Sequence, residues 1–270
     1  MDRLAASTNS YHTYTLAQAL AGIAAAGFKS VELTSVPGWT EHVLRSSTDA
    51  DLDEVRNLLR TNGLEAVSLS GHSDLVSDAG IAEFRKALAI ANKLEIKYVT
   101  TSTGGHDASS AGSIDDQRNS FMKNIRPLAD EAAGLGIDIC LETHGGLLAT
   151  GAISKKLIQD IGKPNISINY DPGNVIFYGG VRPEEDILAS ADMVGHMHVK
   201  DQIGGPGVWN FPATGTGEVD FTKIFAALDK AGFTGICSVE VEFQGEPWPA
   251  LAEVNAAVKQ SHDFIRPLVK

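Results

Sequence analysis

The feature that most constrains this chain is a unit repeated along its length: an amphipathic helical stretch, a glycine with an apolar neighbour, then a short β-rich run. It is legible in "AGFKSVEL", "NGLEAVSL", "LGIDICLE" and "AGFTGICSVE". A glycine after the last helical turn supplies a left-handed cap, and the β-rich residues that follow form a strand. Such runs fall near residues 3–9, 29–34, 65–71, 97–103, 137–143, 166–171, 193–199 and 235–242, eight in all. Between them apolar residues recur at spacings of three and four, as in Leu52, Val55, Leu58 and Leu59, or Phe221, Ile224, Phe225 and Leu228. Eight alternating units in 270 residues predict an α/β fold, a parallel (β/α)8 TIM barrel in a single domain over residues 1–270, in preference to an open doubly wound sheet.

Composition then narrows the function. A formal charge of −12 would repel a phosphate backbone, so nucleic acid is not an expected partner. The longest apolar-leaning run near the N-terminus, "LAQALAGIAAAGF", is broken by glutamine and glycine and follows no basic stretch. Neither a membrane span nor a signal peptide is expected, and the predicted compartment is the cytoplasm. Cys140 and Cys237 are the two cysteines, each in an apolar strand-like run, and they read as packing residues rather than as a disulfide or a thiolate metal site.

Side chains alternate across a strand, so parity assigns each residue to a face. In "GHMHVKD" His196, His198 and Lys200 share one face, while Met197 and Val199 take the other. The same split sets Ser238, Glu240 and Glu242 against Val239 and Val241, and Cys140, Glu142 and His144 against Ile139 and Leu141. It also sets Asn169 and Asp171 against Ile168 and Tyr170, and Ser68, Ser70 and His72 against Val67 and Leu69. Parallel strands covered on both faces usually read as continuous apolar runs. Here a polar face turns to the lumen, and its charges crowd the C-terminal strand ends, where a TIM barrel builds its active site. Glu142, Asp171, His198 and Glu240 come from strands five to eight and are expected to converge there. Three buried carboxylates need a cation to stay ionised together. Oxygen donors with one imidazole suit Mn²⁺, Mg²⁺ or Co²⁺, with Zn²⁺ admissible.

With "VELTS", "LETHGG", "YDPGN", "GHMHVKD", "GTGEVDF" and "AGFTGICSVEVE" in that order, the chain resembles the xylose isomerase-like barrels. That superfamily takes in sugar phosphate isomerases and epimerases, ketose 3-epimerases, inosose dehydratases and apurinic-site endonucleases. The resemblance covers nearly the whole chain. It implies one divalent ion, manganese foremost, held by Glu142, Asp171, His198 and Glu240. It makes His198 the ligand of the two histidines and His196 a neighbour that contacts substrate or orients the site. Glu242, two residues beyond Glu240 on the same face, is its rival as the last ligand. The DNA-repair branch holds three zinc ions and needs further histidines. His72 matches one of them, but Asn174 stands three residues after Asp171, and "DQIGGPGVWNFPATG" contains no histidine. Ketose 3-epimerases often have histidine where this chain has Asn174, and an arginine near "HVKD" whose work would fall to Lys200 or Asp201.

A metal ion on a sugar carbonyl and its neighbouring hydroxyl would acidify the adjacent C–H and stabilise an enediolate. Glu142 and Glu240 as base and acid would then give a ketose 3-epimerase-like reaction, or an isomerase if the proton returns to the neighbouring carbon. If His144 were the base, elimination from a keto sugar, 3-keto-glycoside or inosose would follow, a lyase or dehydratase reaction with room for a partner subunit. Expected substrate contacts are His72, His144, Asn174, His196, Lys200, Trp209 and His12, with Tyr11, Glu32, Trp39 and Trp248 as weaker candidates. The loops "STGGHD" and "TGTGEV" lack the spacing and lysine of a P-loop, which favours an unphosphorylated sugar or glycoside. Families of this type commonly form homodimers or tetramers.

Overall fold

In the computed structural model, which describes residues 2–104 and 113–269, eight parallel strands close into a barrel in sequence order. The elements run β1 (Leu4–Ser7), α1 (Leu16–Ala26), β2 (Ser30–Thr34), α2 (Asp49–Asn62), β3 (Glu65–Ser70), α3 (Asp78–Lys93), β4 (Tyr98–Thr101) and α4 (Ile114–Gly134). They continue with β5 (Asp138–Glu142), α5 (Gly151–Ile161), β6 (Ile166–Tyr170), a single turn α6 (Pro172–Asn174), α7 (Pro183–Ser190) and β7 (Val194–Val199). After a long loop come α8 (Phe221–Ala231), β8 (Ile236–Val239) and α9 (Leu251–Ile265). Closure is made by β1 on β8, with Ala5 opposite Ser238 and Ala6 opposite Val239. In the loop "STGGHD", residues 105–107 lie outside the described residues.

The expected punctuation is present. Thr15 and Thr48 open α1 and α2 with reciprocal capping boxes to Gln18 and Asp51. Gly27 and Gly232 close α1 and α8 at φ of +107° and +77°, a backbone state that a side chain would strain. The outward faces of the strands, among them Leu33, Leu69, Val99, Leu141, Ile168, Met197 and Val239, pack with Leu20, Phe84, Ile125, Leu128 and Leu228 of the helices into one continuous core. Cys140 and Cys237 are free and buried, as packing residues should be. No helix among the described residues is long and apolar enough to cross a membrane.

Two local departures shape the mouth. The strands are shorter than the β-rich runs, so β8 ends at Val239 and the chain leaves the sheet before Glu240 and Glu242. Likewise β1 stops at Ser7, whose side chain accepts the Asn9 amide and starts a 3₁₀ turn over Thr8–Tyr11. The alternation also slips in β3. The register against β2 shifts between Val31 and Glu32, and Val67 joins Ala5 and Ile236 in a small separate cluster instead of following Leu69 into the main core. The extra residue of such an irregularity flips the face of what precedes it, which strict parity cannot anticipate.

Candidate metal and substrate site

Glu142 ends β5, Asp171 follows β6 directly, His198 lies within β7 and Glu240 stands just past β8. All four are buried, and one donor atom from each lies within 4.8 Å of all the others. Around His198 Nδ1 the carboxylate oxygens sit at 3.3 Å (Glu142 Oε1), 3.4 Å (Glu240 Oε2) and 3.7 Å (Asp171 Oδ2). Glu242 stands outside this cluster. Asp171 is aimed by its role as N-cap of α6, where its Oδ1 accepts the Asn174 amide at 2.9 Å, leaving Oδ2 directed to the centre.

The donor set fits a divalent ion. Asp171 Oδ2 and His198 Nδ1 are both buried and make no hydrogen bond, an arrangement that is costly unless something else occupies the space between them. Crowding also distorts their protonation. Burial pushes the Asp171 carboxyl above its ordinary value. Burial works against charge on His198, but the carboxylates of Glu32, Glu240 and Glu142 outweigh it and hold the imidazole well above its usual pKa. A cation at the centre would relieve both groups at once, and three oxygens with one imidazole nitrogen form a hard, mixed O/N donor set.

The donors are tied from behind. Glu142 Oε2 lies 2.7 Å from His72 Nε2, and Asn174 Nδ2 donates to Oε1 at 2.8 Å. Burial opposes ionisation of Glu142, yet His198 and His72 hold its pKa well below the carboxylate range. The Lys200 ammonium bridges Glu240 (2.7 Å), Glu242 (3.0 Å) and Asp171 (3.3 Å), and lies 5.0 Å from the centre of the Phe211 ring. Asn9 Nδ2 donates to both Glu240 (3.0 Å) and Glu242 (2.8 Å). Burial, only partly offset by Lys200, pushes Glu242 up to about 7.

The centre opens into a cavity of about 400 Å³ whose wall includes His72, His144, Asn174, Lys200, Tyr178, Trp39 and Trp209. Five of the seven expected substrate contacts therefore line it, namely His72, His144, Asn174, Lys200 and Trp209. The other two do not. His196 is wholly buried one layer deeper, with Nδ1 2.9 Å from Asn169 Oδ1 and Nε2 3.1 Å from the Ser68 hydroxyl. His12 stacks on Trp39 at 4.1 Å and bonds Thr40 Oγ1 at 2.7 Å, behind the wall rather than in it. Among the weaker candidates, Tyr11 is buried and donates to Asn255 at 2.9 Å, and Trp248 donates to the Ser10 carbonyl at 3.0 Å. Asp201 faces no cavity either. Its carboxylate accepts the amides of Gln202, Gly215, Gly217 and Val219 and so folds the loop after β7. Asn9 and Tyr178 line the cavity although neither sits in a polar strand face.

Burial depresses the pKa of His196 to about 4, so it is neutral at ordinary pH and its two hydrogen bonds suit one neutral tautomer. A base whose folded pKa is depressed adds stability that is complete above its unfolded value and is lost as pH falls. Urea unfolding of the metal-free protein should therefore weaken between about pH 6.5 and 4 more steeply than that of a His196→Gln variant, by about one proton's slope. Parallel curves would show that His196 does not titrate on unfolding.

A single (β/α)8 barrel with an acid-rich, histidine-bearing centre at its C-terminal mouth defines the class. The chain belongs to the xylose isomerase-like TIM barrel family, which it matches over residues 20–268. It is 27% identical over 240 residues to an L-ribulose 3-epimerase of Methylomonas sp. (strain DH-1), covering 83% of this chain and 77% of that one. An inosose dehydratase of Geobacillus thermodenitrificans (strain NG80-2) is 27% identical over 168 residues, 54% of this chain and 53% of that one. The crystal structure of a D-psicose 3-epimerase in the presence of D-fructose superposes with a TM-score of 0.80 at 20% identity, covering 99% of both chains.

Proposed function

We propose that this protein is a divalent-metal-dependent sugar epimerase of the ketose 3-epimerase type, with Glu142, Asp171, His198 and Glu240 as metal ligands. The observation that carries the reading is the buried four-donor centre, in which Asp171 Oδ2 and His198 Nδ1 make no hydrogen bond, opening into a cavity lined by Trp39, Trp209 and polar side chains. The L-ribulose 3-epimerase likeness supports the reaction type. Manganese is the expected ion, with Mg²⁺, Co²⁺ and Zn²⁺ as alternatives the donor set also accepts.

A bound divalent ion supplies Lewis acidity at the sugar carbonyl, which lowers the barrier to removing the neighbouring proton. The chain's own residues do the rest. Glu142 and Glu240 approach the centre from strands three apart, so one can take the proton and the other deliver one to the opposite face, inverting the carbon. His72 on Glu142, and Lys200 with Asn9 on Glu240, hold each carboxylate in place during that exchange. Trp39 and Trp209 offer apolar ring surface to the sugar's C–H faces, and Asn174 and His144 offer polar contacts. Among the described residues the one lysine on the wall, Lys200, is already paired with three carboxylates, which favours an uncharged sugar.

Incubation with unphosphorylated ketopentoses and ketohexoses in D₂O, followed by NMR, tests this. The expected result is deuterium at C3 with the inverted configuration. Release of water or an aglycone from an inosose or 3-keto-glycoside, without inversion, would transfer the assignment to elimination through His144. Absence of C–H exchange in either class would remove the enediolate reading altogether.

A further inference from the structure

We infer that Glu32 is a positioning residue that fixes the proton on the far nitrogen of His198 and so presents the near nitrogen, Nδ1, as the metal ligand. The inference rests on the centre proposed above. Glu32 sits in the middle of β2, wholly buried, on the opposite side of the His198 ring from the three ligand carboxylates. Its Oε2 is 3.0 Å from His198 Nε2. Its Oε1 accepts the Thr100 hydroxyl of β4 at 3.0 Å, which stops the carboxylate from rotating. It does not line the cavity, so it is not the substrate contact for which it was a weaker candidate.

The chemistry follows from what a carboxylate can do. An ionised carboxylate only accepts hydrogen bonds, so the proton of a neutral His198 ring must reside on Nε2. Nδ1 then carries the lone pair, and it faces Glu142, Glu240 and Asp171 at 3.3, 3.4 and 3.7 Å. A cation at the centre would accept that lone pair. With one, all four donors point at a single charge. A carboxylate behind a ligating imidazole also raises its basicity, and removing such a partner typically weakens metal binding by about 10–100-fold.

The test uses metal-free full-length protein titrated with Mn²⁺, free ion being followed by electron paramagnetic resonance, for wild type, Glu32→Gln and Thr100→Val. Glutamine keeps the volume but can donate to Nε2 and invert the tautomer. We expect Kd to rise about 10–100-fold in Glu32→Gln and by a smaller factor in Thr100→Val, which only frees the carboxylate to rotate. In ¹⁵N-histidine-labelled protein loaded with Zn²⁺, long-range ¹H–¹⁵N spectra should show the His198 proton on Nε2, the signal being identified by its loss in His198→Gln. That proton should shift or exchange away in Glu32→Gln, a change that a merely space-filling glutamate would not produce. Equal Kd and unchanged imidazole signals in the variants overturn the inference while leaving the metal centre intact. Wild-type protein that binds no Mn²⁺ overturns the centre itself. If Glu32→Gln does not fold, Thr100→Val decides by the same two readouts.

Discussion

The Glu142→Gln/Glu240→Gln double variant is expected to lose stoichiometric metal and to epimerise at least about 10⁴-fold more slowly than wild type. Each carboxylate is asked to do two jobs, holding the ion and moving a proton, and general acid–base groups alone contribute about 10²–10⁴-fold each. Effects of groups that act together do not add, so the single variants should each lie close to the double. Folding should survive, because the amides keep the shape while removing two charges from a buried acidic cluster. The metal-free double variant loses the pairing of Glu142 with His72 and of Glu240 with Lys200, so it should melt lower than metal-free wild type but still in one cooperative transition, which separates loss of function from loss of structure. Metal content by mass spectrometry and the D₂O exchange rate are the measurements. Retention of one equivalent of metal with wild-type exchange would show that these carboxylates are not the site.

The second large effect is expected at Lys200. Its ammonium is 3% exposed and is the cation shared by Glu240, Glu242 and Asp171. Lys200→Met keeps a flexible chain against Phe211 but leaves three buried carboxylates facing one another. Breaking a buried ion pair from one side typically costs about 3–5 kcal/mol, because the remaining charge stays desolvated. Metal-free Lys200→Met should lose stability of that order in urea. Saturating Mn²⁺ should restore a part of it, since an ion beside Glu240 and Asp171 replaces some of the missing positive charge. Unfolding curves that coincide with wild type would mean that Lys200 is not the counter-charge the geometry describes.

Much of this architecture was legible because it is periodic. The helix, glycine cap and strand unit announced the barrel, and parity told which side of β5 to β8 faced the lumen. Parity carries no depth, however. His196 and His198 share a face, but His196 pairs with Ile236 at the start of β8 and His198 with Ser238 further up, so only the second reaches the centre. Glu32 and Asn9 were harder still. Their partners lie 166 and more than 230 residues away, at His198, Glu240 and Glu242, and nothing next to either residue announces them. Asp201 reads as a stand-in for the family's arginine because it closes "HVKD". Loop amides claim it instead, through backbone geometry that no side-chain pattern encodes.

The layer of Ser68, Asn169 and His196 beneath the centre has a consequence for how such a barrel can change over evolution. His196 is held by both Asn169 and Ser68 inside the lumen, so strand closure at that level does not depend on which side chains stand above them. Rim residues such as His144, Tyr178 and Trp209 can be exchanged while the foundation stays neutral and intact. A lineage built on this plan can be re-specified for new sugars one rim position at a time, with each step tested by selection on binding alone rather than on folding.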